Sequence, residues 1–323
     1  MKLKLKRKPK NNNVTLLQGD CLEVMKQIPD KKIQCCVTSP PYFGLRDYGC
    51  EDQIGLEQTP IEYINKLVDV FREVKRILRD DGTIWLNLGD SYYNYRPGKG
   101  QKLPKQSLAN NKQDLPEVCS RRGNKLIGLK EKDLIGIPWR VAFALQSDGW
   151  YLRQDIIWHK PNPMPESVKD RCTKAHEYIF LLSKNPKYYF DNDAIKEPTV
   201  TKDNSNRQRD ATKLNNTTGR TRMGGLVKND YDFKNKRSVW TVTTKPFKGA
   251  HFAVFPTNLI EPCILAGCPE EGVVLDPFMG SGTTGVVALK HNRKFIGCEL
   301  NSDYINIARN RINETKIKEE SKT

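Results

Sequence analysis

The chain lacks any apolar run of the ~18 residues that a membrane-spanning helix needs. Its start, MKLKLKRKPKNNN, is basic but has no apolar stretch of the kind a secretory signal carries, so a cytoplasmic protein is expected. Histidine is scarce, with four in 323 residues. The nine cysteines form no C-x-x-C pair and no regular spacing; Cys263 and Cys268 come closest late in the chain. That argues against structural zinc and a disulfide framework, and for reduced thiols. No internal repeat is present, which excludes a solenoid. No Gly-Lys-Ser/Thr follows the glycine turns, which excludes a phosphate P-loop.

What the chain has in excess is positive charge. Lys and Arg total 54 against 38 Asp and Glu, a net +16. Such an excess suits a polyanionic partner, because each neutralised phosphate releases counterions.

Two α/β-patterned stretches are separated by polar ones. Residues 1–13 read as a flexible basic arm. VTLLQ reads as a strand ending at Gly19-Asp20, CLEVMKQI as a helix, and Ile33 to Val37 as a second strand. A helix begins at Thr59, an N-cap with Pro60 behind it and Glu62 completing a capping box. Its apolar stripe comprises Ile61, Ile64, Leu67, Val68, Phe71, Val74, Ile77 and Leu78. Asp80-Asp81-Gly82 reads as the turn that stops it, and TIWLNLGD as the next strand. Strand, helix, strand predicts a βαβ unit and a parallel sheet. Residues 92–132 are polar, rich in Pro and Gly, and read as an insert. A helix near 138–148, a strand from Trp150 to Trp158, the proline-rich HKPNPMPES and the strand EYIFLLSK follow. Residues 198–247 are again polar and basic, and residues 251–312 return to alternating helices and strands.

Two stretches carry the chemistry. In VVLDPFMGSGTTGVVAL an apolar strand ends in Asp276, a turn holds Gly280 and Gly282, and an apolar helix follows. Glycine lets a ligand approach the backbone, and the helix start offers N–H groups. Glu299 closes the next strand; a carboxylate about 20 residues beyond such a turn typically grips ribose hydroxyls. A nicotinamide site is one rival, against which GSGTTG reads as out of register with G-x-G-x-x-G, and a plain packing turn is another. The second stretch is TSPPYFGLRDYG, where a strand runs into two prolines set between a serine and a tyrosine. Pro-Pro-Tyr alone reads as a rigid turn.

Together these stretches resemble the DNA amino-methyltransferase family. Asp276-Pro277-Phe278-Met279-Gly280-Ser281-Gly282-Thr283-Thr284 resembles its S-adenosylmethionine loop, and Thr38-Ser39-Pro40-Pro41-Tyr42 its catalytic motif. The catalytic motif comes first, as in the beta-type permutation. Gly19-Asp20 is similar to the segment near the cofactor adenine, HFAVFPTNL to the segment around the methionine moiety, and WHKPNPMPES with Glu177-Tyr178-Ile179 to the segment flanking the target base.

The resemblance implies a doubly wound, Rossmann-like class I methyltransferase sheet, mostly parallel, with polar DNA-recognition inserts. Residues 14–197 would be the catalytic half and 248–323 the cofactor half of one domain. Residues 198–247 would recognise the target, with 92–132 as a helper. The cofactor would be S-adenosylmethionine, held by Asp20, Thr257, Asp276, Phe278, Gly280, Ser281, Gly282, Thr283 and Glu299, with no metal. The partner would be double-stranded DNA. A cognate restriction endonuclease is compatible with this, and monomer and dimer both stay open.

The corner suits amine methylation. A base's exocyclic amine is a poor nucleophile until acceptors hold its hydrogens and turn its lone pair outward. Pro40 brings a carbonyl and no N–H, and Ser39 a hydroxyl that can accept or donate. Tyr42 would stack on a flipped base, and Phe43 to Gly49 would form a lid. His159 reads as a structural residue. A Ser-Pro-Pro-Tyr corner is similar to that of cytosine-N4 enzymes, and Asp- or Asn-Pro-Pro-Tyr to adenine-N6 enzymes, so cytosine N4 is favoured with adenine N6 as the alternative. A non-catalytic DNA-binding module and an RNA or protein amide methyltransferase are further rivals. Cytosine-C5 chemistry needs a Pro-Cys nucleophile; the one Pro-Cys, Pro262-Cys263, sits inside an apparent helix.

Overall fold

The computed structural model describes residues 13–45, 50, 53–93, 129–199, 232–244 and 255–320. Residues 1–12 of the basic arm, most of both polar inserts, His251 to Val254 and the lid segment from Arg46 to Gly49 lie outside the described residues.

An eight-stranded sheet runs through the molecule. Its strands are β1 (Val14–Gln18), β2 (Ile33–Thr38), β3 (Leu78–Leu88), β4 (Tyr151–His159), β5 (His176–Ser183), β8 (Val239–Thr241), β9 (Val273–Asp276) and β10 (Lys294–Glu299). Their order is β1-β10-β9-β2-β3-β5-β4-β8. A separate pair, β6 (Glu197–Pro198) and β7 (Phe233–Lys234), lies apart. In the main sheet every pairing is parallel except β3 with β5 and β4 with β5. Because β5 alone runs backwards, its first residues lie at the end where β2, β3, β4, β9 and β10 finish.

The helices are α1 (Cys21–Met25), α2 (Pro60–Ile77), α3 (Ile137–Ser147), α4 (Thr257–Gly267), α5 (Thr283–Lys290) and α6 (Ser302–Glu320). Buried side chains of α1, α2 and α3 pack on one face of the sheet, and those of α4, α5 and α6 on the other. The central strands β2 and β9, the second half of β3 and most of β5 are buried on both faces, as a twice-covered sheet requires. The helix after β2 goes to one face and the helix after β9 to the other. β2 and β9 are neighbours, so the crevice at their C-terminal ends is the topological switch point where α/β folds bind ligands.

The capping box at α2 forms as its sequence indicates: Thr59 Oγ1 accepts from Glu62 N at 3.2 Å, and Glu62 Oε2 from Thr59 N at 3.3 Å. The buried face holds Tyr63, Ile64, Leu67, Val68, Phe71, Val74 and Ile77. Ile61, expected in the stripe, is 66 % exposed, because Tyr63 takes the core position in that turn.

Asp80-Asp81-Gly82 does not separate the helix from the strand as a turn but lies inside β3. Leu78 leaves the helix in extended geometry and pairs at once with Ile33; the strand then bulges, because the next residue paired with β2 is Thr83, opposite Cys35, and Arg79 to Gly82 have no partner there. The register slips between Ile33 and Cys35, and Gly82 makes room: a Cβ there would sit 2.5 Å from Leu78 Cγ. The C-terminal part of the basic stretch 198–247 joins the edge of the main sheet. Its β8 pairs in parallel with β4 as the sheet's edge strand, and its Trp240 is buried.

Among the described residues no helix is long and apolar enough to cross a membrane. Thr59→Ala should remove one half of the α2 capping box, costing about 1 kcal/mol and lowering the midpoint of thermal unfolding by about 2 °C. Differential scanning calorimetry measures it.

Candidate functional site

Asp276 closes β9 and is 1 % exposed. Its Oδ1 accepts from Thr38 Oγ1, at the end of β2, at 2.7 Å and from Phe278 N at 3.1 Å. Its Oδ2 accepts from Thr284 Oγ1 at 2.6 Å, in the first turn of α5. Burial pushes the carboxyl up to about 6, while the three hydrogen bonds pull it back.

The glycine turn leads from Asp276 into α5. Glu299, at the end of β10, holds it from the side: Oε2 accepts from Gly280 N at 2.8 Å, and Oε1 from Asn301 N at 2.9 Å. Burial raises the Glu299 carboxyl above the usual carboxylate range despite these bonds. Arg311 of α6 clasps the turn from behind, donating to Ser281 O and Oγ at 2.6 Å each and to Thr283 Oγ1 at 3.2 Å. Asp20 caps α1, with Oδ1 accepting from Leu22 N at 2.9 Å and Glu23 N at 3.2 Å.

On the other side of Thr38 the chain enters Ser39-Pro40-Pro41-Tyr42. Tyr63 Oη donates to Pro41 O at 2.8 Å and fixes the corner to α2. The Tyr42 ring lies against the end of β3, where Gly89 leaves space: a Cβ there would fall 2.5 Å from Tyr42 Cε2. Tyr42 Oη donates to Glu177 Oε2 at 2.7 Å and lies 3.3 Å from Asn87 Oδ1. Burial, and next the Glu177 carboxylate, push the Tyr42 phenol well up.

One cavity of about 640 Å³ joins these parts. Gly19, Asp20, Phe278, Gly280 and Glu299 line one end; Ser39, Pro40, Tyr42, Trp158, Lys160 and Glu177 line the other. Among the described residues no group of His, Cys, Asp and Glu is arranged to hold a metal ion.

Residues 33–310 match the family model described as DNA methylase. This chain belongs to the N6/N4 DNA methylase family. It is 49% identical over 304 residues to the type II methyltransferase M.Cfr9I of Citrobacter freundii, covering 93% of this chain and 88% of that one. It is 48% identical over 297 residues to the type II methyltransferase M.SmaI of Serratia marcescens, covering 92% and 90%. Its fold matches the solved PvuII cytosine-N4-specific DNA methyltransferase with a TM-score of 0.61 at 20% identity, over 93% of this chain and 86% of that one. It also matches a putative DNA modification methylase from Thermus thermophilus in complex with S-adenosyl-L-methionine, with a TM-score of 0.54 at 21% identity, over 93% and 95%.

In this DNA methylase the four corner residues and Asp20, Asp276, Phe278, Gly280, Ser281, Thr283 and Glu299 all line the one cavity. Two expected cofactor residues do not. Thr257 is exposed on the first turn of α4; the chain enters that helix extended through Pro256, which leaves Phe255 at the cavity instead. Gly282 serves packing: it caps α5 at φ 79°, and a Cβ would meet Ala308 Cβ of α6 at 2.9 Å. The turn does carry the G-x-G-x-x-G spacing of dinucleotide sites. Its third glycine, Gly285, lets α5 lie on β10, where a Cβ would meet Phe295 at 2.6 Å. The expected lid begins differently, because Phe43 is buried and packs on Tyr63 with ring centroids 5.5 Å apart. His159 bonds Thr241 across β4 and β8, with Nδ1 and Oγ1 3.1 Å apart. Cys263 is buried inside α4, and burial raises its thiol far above the usual range, which leaves no cytosine-C5 nucleophile there.

Sequence reasoning singled out no individual role for Thr38, Thr284, Asn87, Glu177 or Lys160. Asn87 had a signal: a polar residue inside an otherwise apolar strand end, TIWLNL. Glu177 and Lys160 stand in the segments likened to the flank of the target base, but nothing local ties either side chain to the corner.

A buried acid raised from 3.8 to about 6 favours its protonated form in the fold. Its stabilising contribution is complete below about pH 3.8 and is lost as the pH climbs through about 6, a change of ~3 kcal/mol in all. Asp276→Asn cannot titrate there. Its stability deficit against the parent should therefore shrink by ~2 kcal/mol between about pH 4.5 and about pH 7.5 in urea unfolding. A deficit independent of pH would show that burial does not hold the acid neutral.

Proposed function

We propose that this DNA methylase methylates the exocyclic N4 amine of a cytosine turned out of duplex DNA, with S-adenosylmethionine as donor. One observation carries the reading: the glycine turn with its Glu299 and the Ser39-Pro40-Pro41-Tyr42 corner open into the same cavity. The cofactor supplies a methyl group activated on a sulfonium. The residues present suit it: the Glu299 carboxylate for ribose hydroxyls, the half-buried Phe278 ring for a purine face, and Gly280 at φ 52° for close approach to the backbone.

At the other end, the carbonyl of Pro40 and the oxygen of Ser39 take the two amine hydrogens and aim the nitrogen lone pair. Proline restricts the backbone, so these acceptors stay fixed as charge develops on nitrogen. The Tyr42 ring offers a stacking face for the extruded base; such stacking is worth about 1–3 kcal/mol and offsets part of the opening cost. Pro41's carbonyl is taken by Tyr63, which leaves Pro40 to serve the substrate. Lys160 favours cytosine. It brings ammonium donors to the cavity, and cytosine carries the acceptors N3 and O2 beside its amine, where adenine carries N1 and a C–H.

DNA from a methylation-free host expressing the chain, digested to nucleosides and weighed by mass spectrometry, should contain N4-methylcytosine. N6-methyladenine instead would assign the enzyme to adenine. Neither base, from a protein that still binds cofactor, would point to a DNA-binding module. Ser39→Ala should lower kcat by about 10²-fold and leave the cofactor Kd unchanged. Glu299→Ala should weaken the cofactor Kd about 10- to 100-fold and spare DNA binding. Isothermal titration and gel-shift measurements separate the two; loss of both affinities together would mean misfolding.

A further inference from the structure

Among the described residues, two large apolar side chains both stand exposed and line the cavity: Leu45 at 43 % and Met164 at 86 %. No other large apolar side chain among them is as exposed as Met164. It lies past the end of β4, in Pro161-Asn162-Pro163-Met164-Pro165. Three proline rings at alternate positions fix φ there, and a proline after Asn162 and after Met164 drives both to extended backbone. Tertiary hydrogen bonds then hold the chain two residues to either side of Met164. Before it, Asn162 Nδ2 donates to Thr244 O and Asn162 Oδ1 accepts from Thr244 N, at 3.1 Å each. After it, the Glu166 carboxylate accepts from Arg171 Nη1 at 2.6 Å, from Arg171 Nη2 at 3.3 Å and from Lys174 N at 3.2 Å. The Arg171 guanidinium lies in turn 3.8 Å from the centroid of the Tyr92 ring. Thr244 follows β8 and Tyr92 follows β3, so two other segments brace this loop.

Ordering a loop costs conformational entropy, and an apolar tip left in water does nothing to offset that cost. A stiff loop that presents a thioether at the rim of a substrate cavity fits a surface that arrives with the substrate. That surface must be apolar at Met164 and anionic around it, because the same loop carries Lys160, Lys169, Arg171 and Lys174 against Glu166 and Asp170. Duplex DNA with one base turned out has both properties. Extrusion leaves a slot between the neighbouring base pairs, walled by aromatic faces inside a polyanion, and unbranched apolar side chains wedge into such steps. A polarisable sulfur adds favourable contact with aromatic rings. We propose that Met164 is the wedge that enters the base stack where the target base has left it, and so stabilises the extruded state. This rests on the base-extrusion reading above and goes beyond it by assigning the group that fills the vacated position.

The test uses the full chain, S-adenosylmethionine and a duplex carrying the site that the parent methylates. Met164→Ala removes the wedge, and Met164→Gln keeps its length but makes its end polar. Both should lower kcat/KM for the duplex by about 10-fold and leave the cofactor Kd unchanged. Met164→Leu should recover most of that loss.

The deciding readout is rescue by the substrate. In a second duplex the nucleotide opposite the target carries a pyrene, which fills the stack and expels the target base by itself. On that duplex the parent and both variants should agree within about 2-fold. Fluorescence gives the same comparison without turnover: an analogue of the target base that brightens on leaving the stack should show, with saturating Met164→Ala protein, less than about half the parent's rise. A parent-to-variant ratio that is equal on the two duplexes, or an equal rise in fluorescence, makes Met164 an ordinary contact and overturns the inference. So does a Met164→Ala protein that sediments at a lower mass than the parent, which would give the tip to a second copy of the chain. A parent that methylates no base, and brightens no analogue, overturns the functional reading itself; an active parent with equal ratios overturns this inference alone.

Discussion

A carboxylate buried between two strands that are far apart in sequence holds the site together. Asp276 ends β9, Thr38 ends β2, and their hydrogen bond spans 238 positions of chain. Thr284 adds the start of α5. An acid without water must find its hydrogen bonds inside the protein, so its three donors have little freedom to move. One neighbour of this node, Phe278, begins the glycine turn, and another, Thr38, leads directly into the proline corner. The glycine-turn end and the proline-corner end of the cavity are thereby set at a fixed distance from each other.

The corner shows the same economy of freedom. Its prolines limit the backbone, Tyr63 takes the Pro41 carbonyl, and Gly89 lets the Tyr42 ring settle on β3. The Tyr42 hydroxyl is held in turn by the Glu177 carboxylate. A nucleophile as weak as an aromatic amine gains from acceptors that need no reorganisation when charge appears. The cluster of Glu177, Lys160 and Asn87 fixes the Tyr42 hydroxyl of that corner.

Particular elements show where reading the chain alone succeeded and where it stopped. The α2 capping box, the strand–helix–strand run of β2, α2 and β3, and the strand–turn–helix after Val273 are each announced by residue patterns a few positions long, and all were legible. The turn expected at Asp80-Asp81-Gly82 is instead a bulge inside β3, because Leu78 and Thr83 on either side pair with β2 while the three residues themselves do not. Thr257 and Gly282 stood in recognisable motifs, yet one faces solvent and the other is spent on α6. A motif names a neighbourhood and does not say which side of the backbone faces the ligand. β8 is three residues long and sits at the end of a polar, basic stretch; its place in the sheet comes from Trp240 packing beneath β4, which no local pattern announces.

Residue type and short-range spacing alone set out the chemistry available: a serine, two prolines and a tyrosine after one strand, and an acid, glycines and a second acid after another. Those local facts sufficed for the fold class and the family. It took the assembled sheet to bring Asp276 onto Thr38 and Thr284, to carry Glu177 under Tyr42 on a backward strand, and to complete the wall with Lys160. Such contacts join positions far apart in the chain, and their existence depends on strand order and direction, which are settled by the packing of the whole sheet.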